Sequence, residues 1–348
     1  MKRWFVFPVL VVLVIILITW FEFIAFRSQD DSVIIADNLK IPWSITFLPD
    51  SSALLTERQG SVRLLPGGEE LLVIDEVHSV GEGGLLGVEA HPEFQFNNLV
   101  YFYYTYQEDG VTLNKVVRYV FKDDSFSNKT TIIDSIPGDV VHNGGRLRFG
   151  PDSKLYITAG DAGDSGLAQD VESLAGKILR LNDDGSIPAD NPFNNSPVYS
   201  YGHRNPQGLA WDDEGGLWAT EHGRTGTDEL NLIKPGLNYG WPVILGDFNQ
   251  SGMESPVIHS GADTWAPSGM DYHDGSLFFT GLRGQTLYEY VISEGLLRKH
   301  LTKEHGRLRT VVVGPDNYFY LLISNRDGRG VPSNNDDLVL RINPSLFS

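Results

Sequence analysis

The sequence predicts an all-β fold, a six-bladed β-propeller preceded by an N-terminal transmembrane helix. One unit, an apolar residue followed by a Pro/Asp/Gly turn and an aromatic-rich strand, recurs six times, and no long amphipathic helical pattern interrupts the series. The units begin 41 to 62 residues apart, at Phe47, Ala90, Phe149, Trp211, Tyr272 and Val313. Short strands that repeat at this spacing are typical of propeller blades, because each blade buries its faces only against its neighbours.

Other segments supply the remaining strands of the predicted blades. Segments such as SVRLLP, KVVRYVFK and TLYEYVI follow the units and fit the outer strands of a blade. The segment SVIIADN, Ser32 to Asn38, precedes the first unit and is predicted to pair with the last blade and close the ring. A β-sandwich followed by a second β domain is the alternative, but the even distribution of the repeat favours the propeller.

The N-terminal segment is long enough to cross a membrane. Residues 4–21 carry no charge, which fits a spanning helix of roughly 20 residues better than a signal-peptide core of about 7 to 15. Lys2 and Arg3 precede the segment, so the positive-inside rule places the N-terminus in the cytoplasm and the propeller outside, in the periplasm or at the cell exterior. We therefore expect residues 1–27 to form an anchor and residues 28–348 the propeller domain; a cleaved signal peptide is the alternative.

The composition excludes several classes of function. The chain has 27 lysine and arginine residues against 45 aspartate and glutamate residues, a net charge of −18, which argues against a nucleic acid bound through its phosphates. The absence of cysteine excludes disulfides, cysteine-ligated zinc, a thiol nucleophile and a Cys-x-x-Cys-His haem site. A neutral or locally accommodated small ligand is favoured instead.

The segment HNGGRLRFGP, from His142 to Pro151, concentrates a histidine, two glycines and two arginines in a chain with few basic residues. Asn143-Gly144-Gly145 is good turn material, because glycine reaches positive φ without steric cost. The segment by itself is explained by a structural turn with His142 at its edge. It is also compatible with catalysis, because neutral imidazole accepts protons well near pH 7.

Several long motifs occur together along the chain. They are GEGGLLGVEAHP, HNGGRLRFGPDSKLYITAGDAGD, LAGKILRLNDDGSIPADNPF, YGHRNPQGLAWD, EHGRTGTDELNLIKPGLNYGWP and GRLRTVVVGPD. This set resembles the glucose/sorbosone dehydrogenase family over residues 41–343. The resemblance implies a six-bladed propeller that oxidises aldose sugars at the anomeric carbon, with pyrroloquinoline quinone (PQQ) and calcium as cofactors.

The resemblance also implies roles for individual residues. His142 corresponds to the base that takes the hydroxyl proton while hydride leaves to the quinone, and Asp161 to the residue that orients it. PQQ carries three carboxylates, which the planar fork of arginine is suited to bind. The implied PQQ contacts are Glu82, Arg204, Asn205, Arg283, Arg307 and Arg309.

Calcium takes about six to eight oxygen ligands. The resemblance implies that the backbone of Gly223 and Arg224 supplies two of them and that PQQ completes the shell. A second, structural calcium of some family members corresponds here to Glu229 and the carbonyl of Tyr239. The acidic segment NDDGSIPADN lacks the spacing of an EF-hand and is interpreted as a turn.

The chain departs from the family pattern at four positions. Arg224 stands where proline is common, Thr310 where aspartate usually follows the Arg-x-Arg pair, and Arg283 where the glucose enzymes have lysine. Glu82 stands where some members have glutamine, and its carboxylate beside a trianionic cofactor is unfavourable for tight binding.

The sequence therefore predicts a membrane-tethered aldose dehydrogenase. It would pass two electrons from the sugar to the quinone and on to a separate acceptor, which must be external because the chain has no haem motif. Whether the protein forms a homodimer is left open. Two alternatives remain, a non-catalytic propeller that binds a sugar or a protein and a calcium-dependent sugar-lactone hydrolase, because a fold alone does not fix function.

Overall fold

The computed structural model describes residues 31–347, in which 24 strands form six four-stranded antiparallel sheets. The predicted six-bladed propeller is confirmed. Five of the six predicted units begin at the last residue of a first strand, and Tyr272 lies one residue before the end of its strand. The recurring Pro/Asp/Gly signal therefore marks the turn between the first and second strands of each blade.

The first strand, β1 (Ser32–Ala36), belongs to the last blade, and the next twelve strands form blades 1 to 3 in chain order. Blade 1 consists of β2 (Pro42–Phe47), β3 (Ala53–Glu57), β4 (Ser61–Leu65) and β5 (Glu69–Val73). Blade 2 consists of β6 (Leu85–Ala90), β7 (Leu99–Glu108), β8 (Val111–Lys122) and β9 (Ser125–Pro137). Blade 3 consists of β10 (Leu147–Phe149), β11 (Leu155–Ala159), β12 (Lys177–Leu181) and β13 (Val198–Tyr201).

The remaining strands complete the ring. Blade 4 consists of β14 (Pro206–Trp211), β15 (Leu217–Glu221), β16 (Glu229–Ile233) and β17 (Ile258–His259). Blade 5 consists of β18 (Pro267–His273), β19 (Ser276–Gly281), β20 (Thr286–Val291) and β21 (Leu296–His300). Blade 6 consists of β22 (Leu308–Val313), β23 (Phe319–Ile323), β24 (Val339–Ile342) and β1. Within residues 31–347, one short helix, α1 (Phe94–Asn97), and the 3₁₀ turn Ser165–Ala168 lie in the connections, and a second 3₁₀ turn, Pro344–Leu346, follows β24.

The ring is closed by its two ends, as predicted. Strand β1 pairs antiparallel with β24, with Ser32 opposite Ile342. The buried Asp337 reinforces the closure, because its carboxylate accepts the backbone N–H of Ile41 at 3.1 Å and that of Asn325 at 2.7 Å. The segments expected to be outer strands are the third strands of their blades, and a fourth strand covers each of them on the outside.

The antiparallel topology gathers the loops that could form a site. First strands of neighbouring blades contact each other and line the central axis. Because successive strands alternate in direction, the connections between blades and those between second and third strands emerge on the same face.

Large aromatic side chains such as Trp43, Tyr103 and Phe319 are fully buried in the blades, and burial of each contributes about 1.5–3 kcal/mol.

A charged cluster lies on three of the first strands that line the central channel. Arg148 donates to Asp271 Oδ1 at 3.0 Å, and Glu89 Oε1 accepts the backbone N–H of Phe149 at 3.4 Å. Burial raises the pKa of Glu89 to about 7, although the Arg148 charge opposes the shift. Glu89 therefore holds a proton in the folded protein under conditions in which the unfolded chain has released it.

Replacing Glu89 by glutamine is expected to weaken the pH dependence of stability. The unfolded chain ionises near pH 4.5 and the folded protein near pH 7, so the free energy of unfolding falls as pH rises through this window and levels off above it. In Glu89→Gln the decrease in the free energy of unfolding between about pH 4.5 and pH 7 should be smaller by about 1–2 kcal/mol. Urea unfolding at both pH values measures this decrease. The exposed Glu214→Gln variant is the control, and identical slopes in the two variants would contradict the prediction.

Within residues 31–347 no helix is both long enough and apolar enough to cross a membrane. The predicted anchor lies outside the described residues and stays a prediction.

Candidate active site

The residues implied by the resemblance lie on one face of the propeller. Four of the loops precede first strands: Glu82 lies before β6, His142 before β10, the Arg204-Asn205 pair before β14 and Arg307 before β22. Two other loops follow second strands: Asp161 lies after β11 and the Gly223-Arg224 pair after β15. Tyr239 belongs to the connection between β16 and β17, which passes beside the end of β13. The fold therefore brings together segments that are far apart in the sequence.

His142 and Asp161 form a hydrogen-bonded pair. His142 Nδ1 lies 2.7 Å from Asp161 Oδ1, and the Asp161 side chain is almost completely buried. The other carboxylate oxygen accepts the indole N–H of Trp241 at 2.8 Å, and Gly163 N donates to Oδ1 at 2.9 Å. Asp161 is thus fixed on both sides, and it in turn fixes the plane of the His142 ring.

The turn at Asn143 and Gly144 is held from several blades. Asn143 accepts the Tyr103 hydroxyl at its carbonyl at 2.8 Å, and Asn205 Oδ1 accepts the backbone N–H of Gly144 at 3.0 Å. Gly144 has φ +64°, and a β-carbon there would lie 2.5 Å from the carbonyl oxygen of Thr158. Only glycine fits that approach, which supports the structural interpretation of this turn; the catalytic interpretation stays a prediction.

The loop that follows Asp161 is organised around a buried ammonium group. Lys177 is completely buried, and its Nζ donates to the carbonyl oxygens of Leu167 at 2.8 Å, Ala168 at 3.2 Å and Ala175 at 2.5 Å. Buried charges are stable only when they are fully hydrogen-bonded. Lys177 therefore ties the loop back to β12 and helps to fix the position of Asp161.

A polar cavity of ≈ 180 Å³ opens on the same face, beside the His142 turn. Its lining is mostly charged or polar and includes Arg58, Glu82, Gln207, His222, Arg309 and Asp327. Glu82 connects the cavity to the base, because its Oε2 accepts the backbone N–H of His142 at 3.0 Å. A ligand in the cavity would therefore lie next to the residue implied as the base.

Five side-chain nitrogens in or beside the cavity are buried without a hydrogen-bond partner in the described part of the chain. They are Nε of Arg58, Arg204 and Arg309, Nδ2 of Asn205 and Nε2 of His222. An unsatisfied buried polar group costs about 1–3 kcal/mol, so five in one place indicate a ligand rich in hydrogen-bond acceptors. The three carboxylates and the carbonyl oxygens of PQQ fit this requirement.

The two arginines of the GRLRT motif have different surroundings. Arg307 donates to Asp327 Oδ2 from both Nε, at 2.8 Å, and NH2, at 2.7 Å, so its fork is already engaged by a buried carboxylate. Arg309 lines the cavity, donates from NH1 to Gln207 Oε1 at 3.0 Å and lies 3.8 Å from Asp327. Arg309 is consequently the better placed of the two to bind a ligand in the cavity.

The other implied contacts also differ in position. Arg204 lies 5.3 Å from the ring centre of Trp241, and its backbone N–H donates to the buried Glu221. Asn205 is completely buried below the His142 turn. Arg283 is exposed, and none of the residues around the described cavity is Arg283, so its contact with PQQ stays a prediction.

Glu82 has both carboxylate oxygens occupied. Oε2 holds the His142 amide, and Oε1 accepts from Arg329 NH1 at 2.7 Å. Burial disfavours the charged carboxylate, but His222, the His142 amide and Arg329 outweigh it and lower the pKa of Glu82 to about 2. The extra negative charge noted in the sequence is therefore balanced by Arg329, on the loop between β23 and β24.

The calcium ligands implied at Gly223 and Arg224 lie in a loop anchored by Asp228, which accepts the backbone N–H of Gly223 at 2.8 Å and that of Trp265 at 2.6 Å. Neither carbonyl oxygen of the pair accepts a hydrogen bond within residues 31–347. No group of three or more histidine, aspartate or glutamate side chains in the described residues could hold a metal. Two carbonyls satisfy only part of a calcium shell, so a cation held there needs further oxygens, from water or from a bound ligand.

The second implied calcium site is built differently. Glu229 lies opposite Glu221 on the neighbouring strand, and burial together with the Glu221 charge raises the pKa of Glu229 to about 8. Glu221 in turn lies 2.8 Å from His203 Nδ1, and the His203 ring stacks on Tyr239 with centres 4.8 Å apart. The structure therefore connects Glu229 to Tyr239 through Glu221 and His203, and a cation bound at Glu229 would displace a proton.

A comparison with known families identifies the chain. The family described as Glucose / Sorbosone dehydrogenase matches residues 39–339. This chain belongs to the glucose/sorbosone dehydrogenase family. It is an oxidoreductase, and the resemblance noted in its motifs is confirmed.

Three similar proteins illustrate the place of this chain within the glucose/sorbosone dehydrogenase family. Aldose sugar dehydrogenase YliI of Escherichia coli K12 is 32% identical over 338 residues, which is 85% of this chain and 90% of that protein. Quinoprotein glucose dehydrogenase B of Acinetobacter calcoaceticus is 35% identical over 269 residues, 66% of this chain and 56% of that protein. The PQQ-bound aldose sugar dehydrogenase of Streptomyces coelicolor has a TM-score of 0.85 at 40% identity, covering 89% of this chain and 96% of that one.

Sequence reasoning missed several residues of this glucose/sorbosone dehydrogenase site. The missed residues form hydrogen bonds between different loops: Trp241 binds Asp161, Asp327 binds Arg307, and Arg329 binds Glu82. Trp241 and Asp327 stand in Gly-rich segments, GLNYGWP and NRDGRG, whose irregularity was the available signal. Their partners could not be inferred, because nothing in either segment specifies which loop lies opposite.

Proposed function

We propose that this protein is a PQQ- and calcium-dependent aldose dehydrogenase that oxidises sugars at the anomeric carbon to lactones. The observation that supports this best is the His142–Asp161 pair beside a cavity that has, in or around it, five buried nitrogens without a partner among the described residues. The relatives named as aldose sugar dehydrogenases support the same substrate class. A hydride acceptor and a base are what the oxidation of a sugar hydroxyl requires.

In the proposed reaction His142 removes the proton of the anomeric hydroxyl. Its Nδ1 faces the Asp161 carboxylate, which places the ring hydrogen on Nδ1 and leaves the lone pair of Nε2 to accept the proton. Asp161 then stabilises the imidazolium that forms. When bound, PQQ supplies a two-electron acceptor for the hydride of the anomeric carbon. Loss of that proton and that hydride converts the cyclic aldose into its lactone.

The cationic side chains of the face hold the cofactor in this proposal. Arg58, Arg309 and Arg204 each have a buried nitrogen without a partner among the described residues and would donate to carboxylates, the acceptors with which guanidinium groups form their strongest hydrogen bonds. The carbonyls of Gly223 and Arg224 would hold calcium, with further oxygens supplied by the cofactor. Because these carbonyls form only part of a shell, calcium and PQQ are expected to depend on each other for binding.

The test uses protein purified without cofactor. PQQ and calcium chloride are added together and separately, and bleaching of a redox dye is followed with a series of aldoses. Aldose-dependent bleaching only with both additions supports the proposal. Binding of PQQ or sugar without bleaching would favour a non-catalytic propeller, and calcium-dependent lactone hydrolysis without bleaching would favour a hydrolase.

Replacing Arg309 by alanine is expected to weaken PQQ binding by about 1.5–3 kcal/mol, the range for a lost hydrogen bond to a charged group. Arg309 is buried in the cavity wall, and its Nε has no hydrogen-bond partner within residues 31–347. Titration of tryptophan fluorescence with PQQ measures the change. Arg341→Ala, which removes a guanidinium paired with Asp316 near the turn between β22 and β23, is the control, and equal affinities in the two variants would show that the pocket is misplaced.

We also propose that the propeller lies outside the cytoplasm on an uncleaved N-terminal anchor and delivers electrons to an external acceptor. The uncharged residues 4–21 behind Lys2 and Arg3 support this topology. A reporter fused after Ser348 is expected to be active only outside the cytoplasm, and N-terminal sequencing should find Trp4 in the mature protein. A mature N-terminus near Ser28 would instead show a cleaved signal peptide.

A further inference from the structure

Arg146, in the HNGGRLRFGP segment, has no part in the reaction described above. It lies directly before β10, is buried, and crosses the central channel. Its Nε donates to the Gln207 carbonyl at 2.8 Å, NH1 to Ser44 Oγ at 3.1 Å and NH2 to Thr310 Oγ1 at 3.1 Å. One side chain of blade 3 therefore reaches blades 4, 1 and 6.

The charge of Arg146 is not compensated by its contacts. Four arginines in the described residues are buried: Arg146, Arg180, Arg307 and Arg309. The last three each have a carboxylate within 4.0 Å, whereas all the acceptors of Arg146 are neutral. Burial, together with the charges of Arg148 and Arg309, lowers the pKa of Arg146 to about 9, so the group is charged at neutral pH. A buried charge without a counter-ion is costly, which calls for a functional explanation.

Arg146 lies directly behind the wall of the cavity. Gln207, whose carbonyl it binds, lines the cavity and accepts from Arg309 through its side chain. The guanidinium carbons of Arg146 and Arg309 lie 4.3 Å and 5.9 Å from the ring centre of Trp43. The carboxylates of Asp271 and Glu89 on the packed strands attract Arg146 through space, but neither forms a hydrogen bond with it, and Asp271 binds Arg148. The field of Arg146 therefore adds to that of Arg309.

We propose that Arg146 is a fixed positive charge behind the cofactor pocket that raises the affinity of the pocket for a multiply charged carboxylate ligand. Arg146 acts as a positioning residue that does not touch the ligand. The negative charges of the bound ligand compensate its positive charge through space. The inference rests on the proposed function, in which that ligand is PQQ. At an effective dielectric constant of about 20, a unit charge about 10 Å from a carboxylate changes binding by more than about tenfold.

The decisive test adds a counter-ion without removing Arg146. Thr310→Asp places a carboxylate at the position of the hydroxyl that Arg146 binds, and the isosteric, uncharged Thr310→Asn is the matched control. PQQ affinity is measured by fluorescence titration without sugar, so no turnover is needed. Thr310→Asp is expected to bind PQQ at least about tenfold more weakly than Thr310→Asn. Equal affinities in these two folded variants would overturn the proposal.

A second pair covers the case in which a substitution at residue 310 prevents folding. Arg146→Lys keeps the charge and Arg146→Met removes it, and circular dichroism verifies the fold of both. The lysine variant is expected to bind PQQ at least about tenfold more tightly than the methionine variant, and equal binding would contradict the proposal. If the wild-type protein itself fails to bind PQQ, the proposed function fails and this inference with it; if only the variants fail to differ, the inference alone is wrong.

Discussion

Turnover is expected to fall by about 10² to 10⁴-fold when His142 is replaced by asparagine, the usual contribution of a positioned general base. The fold and PQQ binding should survive. His142 has φ +56°, a left-handed conformation that asparagine adopts more readily than most residues. The backbone N–H that donates to Glu82 is also retained. The loss should appear mainly in kcat, because the proton is transferred only on the way to the transition state.

Steady-state kinetics and a PQQ titration on the same preparation check this result. His91→Asn, on the connection between β6 and β7, is the control and should retain the wild-type rate. A His142→Asn protein that oxidises sugars at the parent rate would assign His142 to the scaffold, and one that does not fold would assign it to the turn.

The second large effect is expected at Asp161. In Asp161→Asn the amide group can donate to His142 Nδ1, which would move the ring hydrogen to Nε2 and remove the lone pair that accepts the proton. The same exchange in a Ser-His-Asp triad costs about 10⁴ in kcat, so we expect a loss of about 10² to 10⁴-fold. The side chain is buried, and asparagine preserves its volume.

Trp241→Phe is the matched control for Asp161→Asn. It removes the indole N–H that binds the second carboxylate oxygen at 2.8 Å and keeps an aromatic ring beside Arg204, so Asp161 still faces His142. The expected loss in kcat is smaller than that of Asp161→Asn, because the carboxylate that faces His142 Nδ1 is kept. Equal losses in both variants would mean that Asp161 fixes the loop and not the tautomer of His142.

The sequence was sufficient to predict the blades, because their signals are local. Each Pro/Asp/Gly turn lies at the junction of two strands only a few residues apart, and the predicted unit starts coincide with ends of first strands at Phe47, Ala90 and Phe149. The third strands were mistaken for outer ones because the fourth strands are short or polar. Strand β17, for example, has two residues, too few for a periodic pattern.

The candidate site was predictable only in part. The motifs located His142, Asp161 and the arginines, and alternation of strand direction explains why their loops share a face. The motifs did not distinguish Arg307, whose fork binds Asp327, from Arg309, whose Nε in the cavity wall has no partner in the part of the chain that the structure describes. Both belong to the same five-residue segment, and their difference depends on a loop 20 residues away.

The sequence by itself determined the number of blades, the ring closure by β1 and the position of the His142 motif at the start of a first strand, because turns and strand pairing depend on neighbouring residues. The tertiary structure decided which charges are paired. Arg329 reaches Glu82 across 247 residues, and Arg146 reaches Thr310 across 164. Such contacts exist only after the ring has closed and brought blade 6 to the segments that lead into blades 2 and 3, and no local pattern encodes which loops then meet.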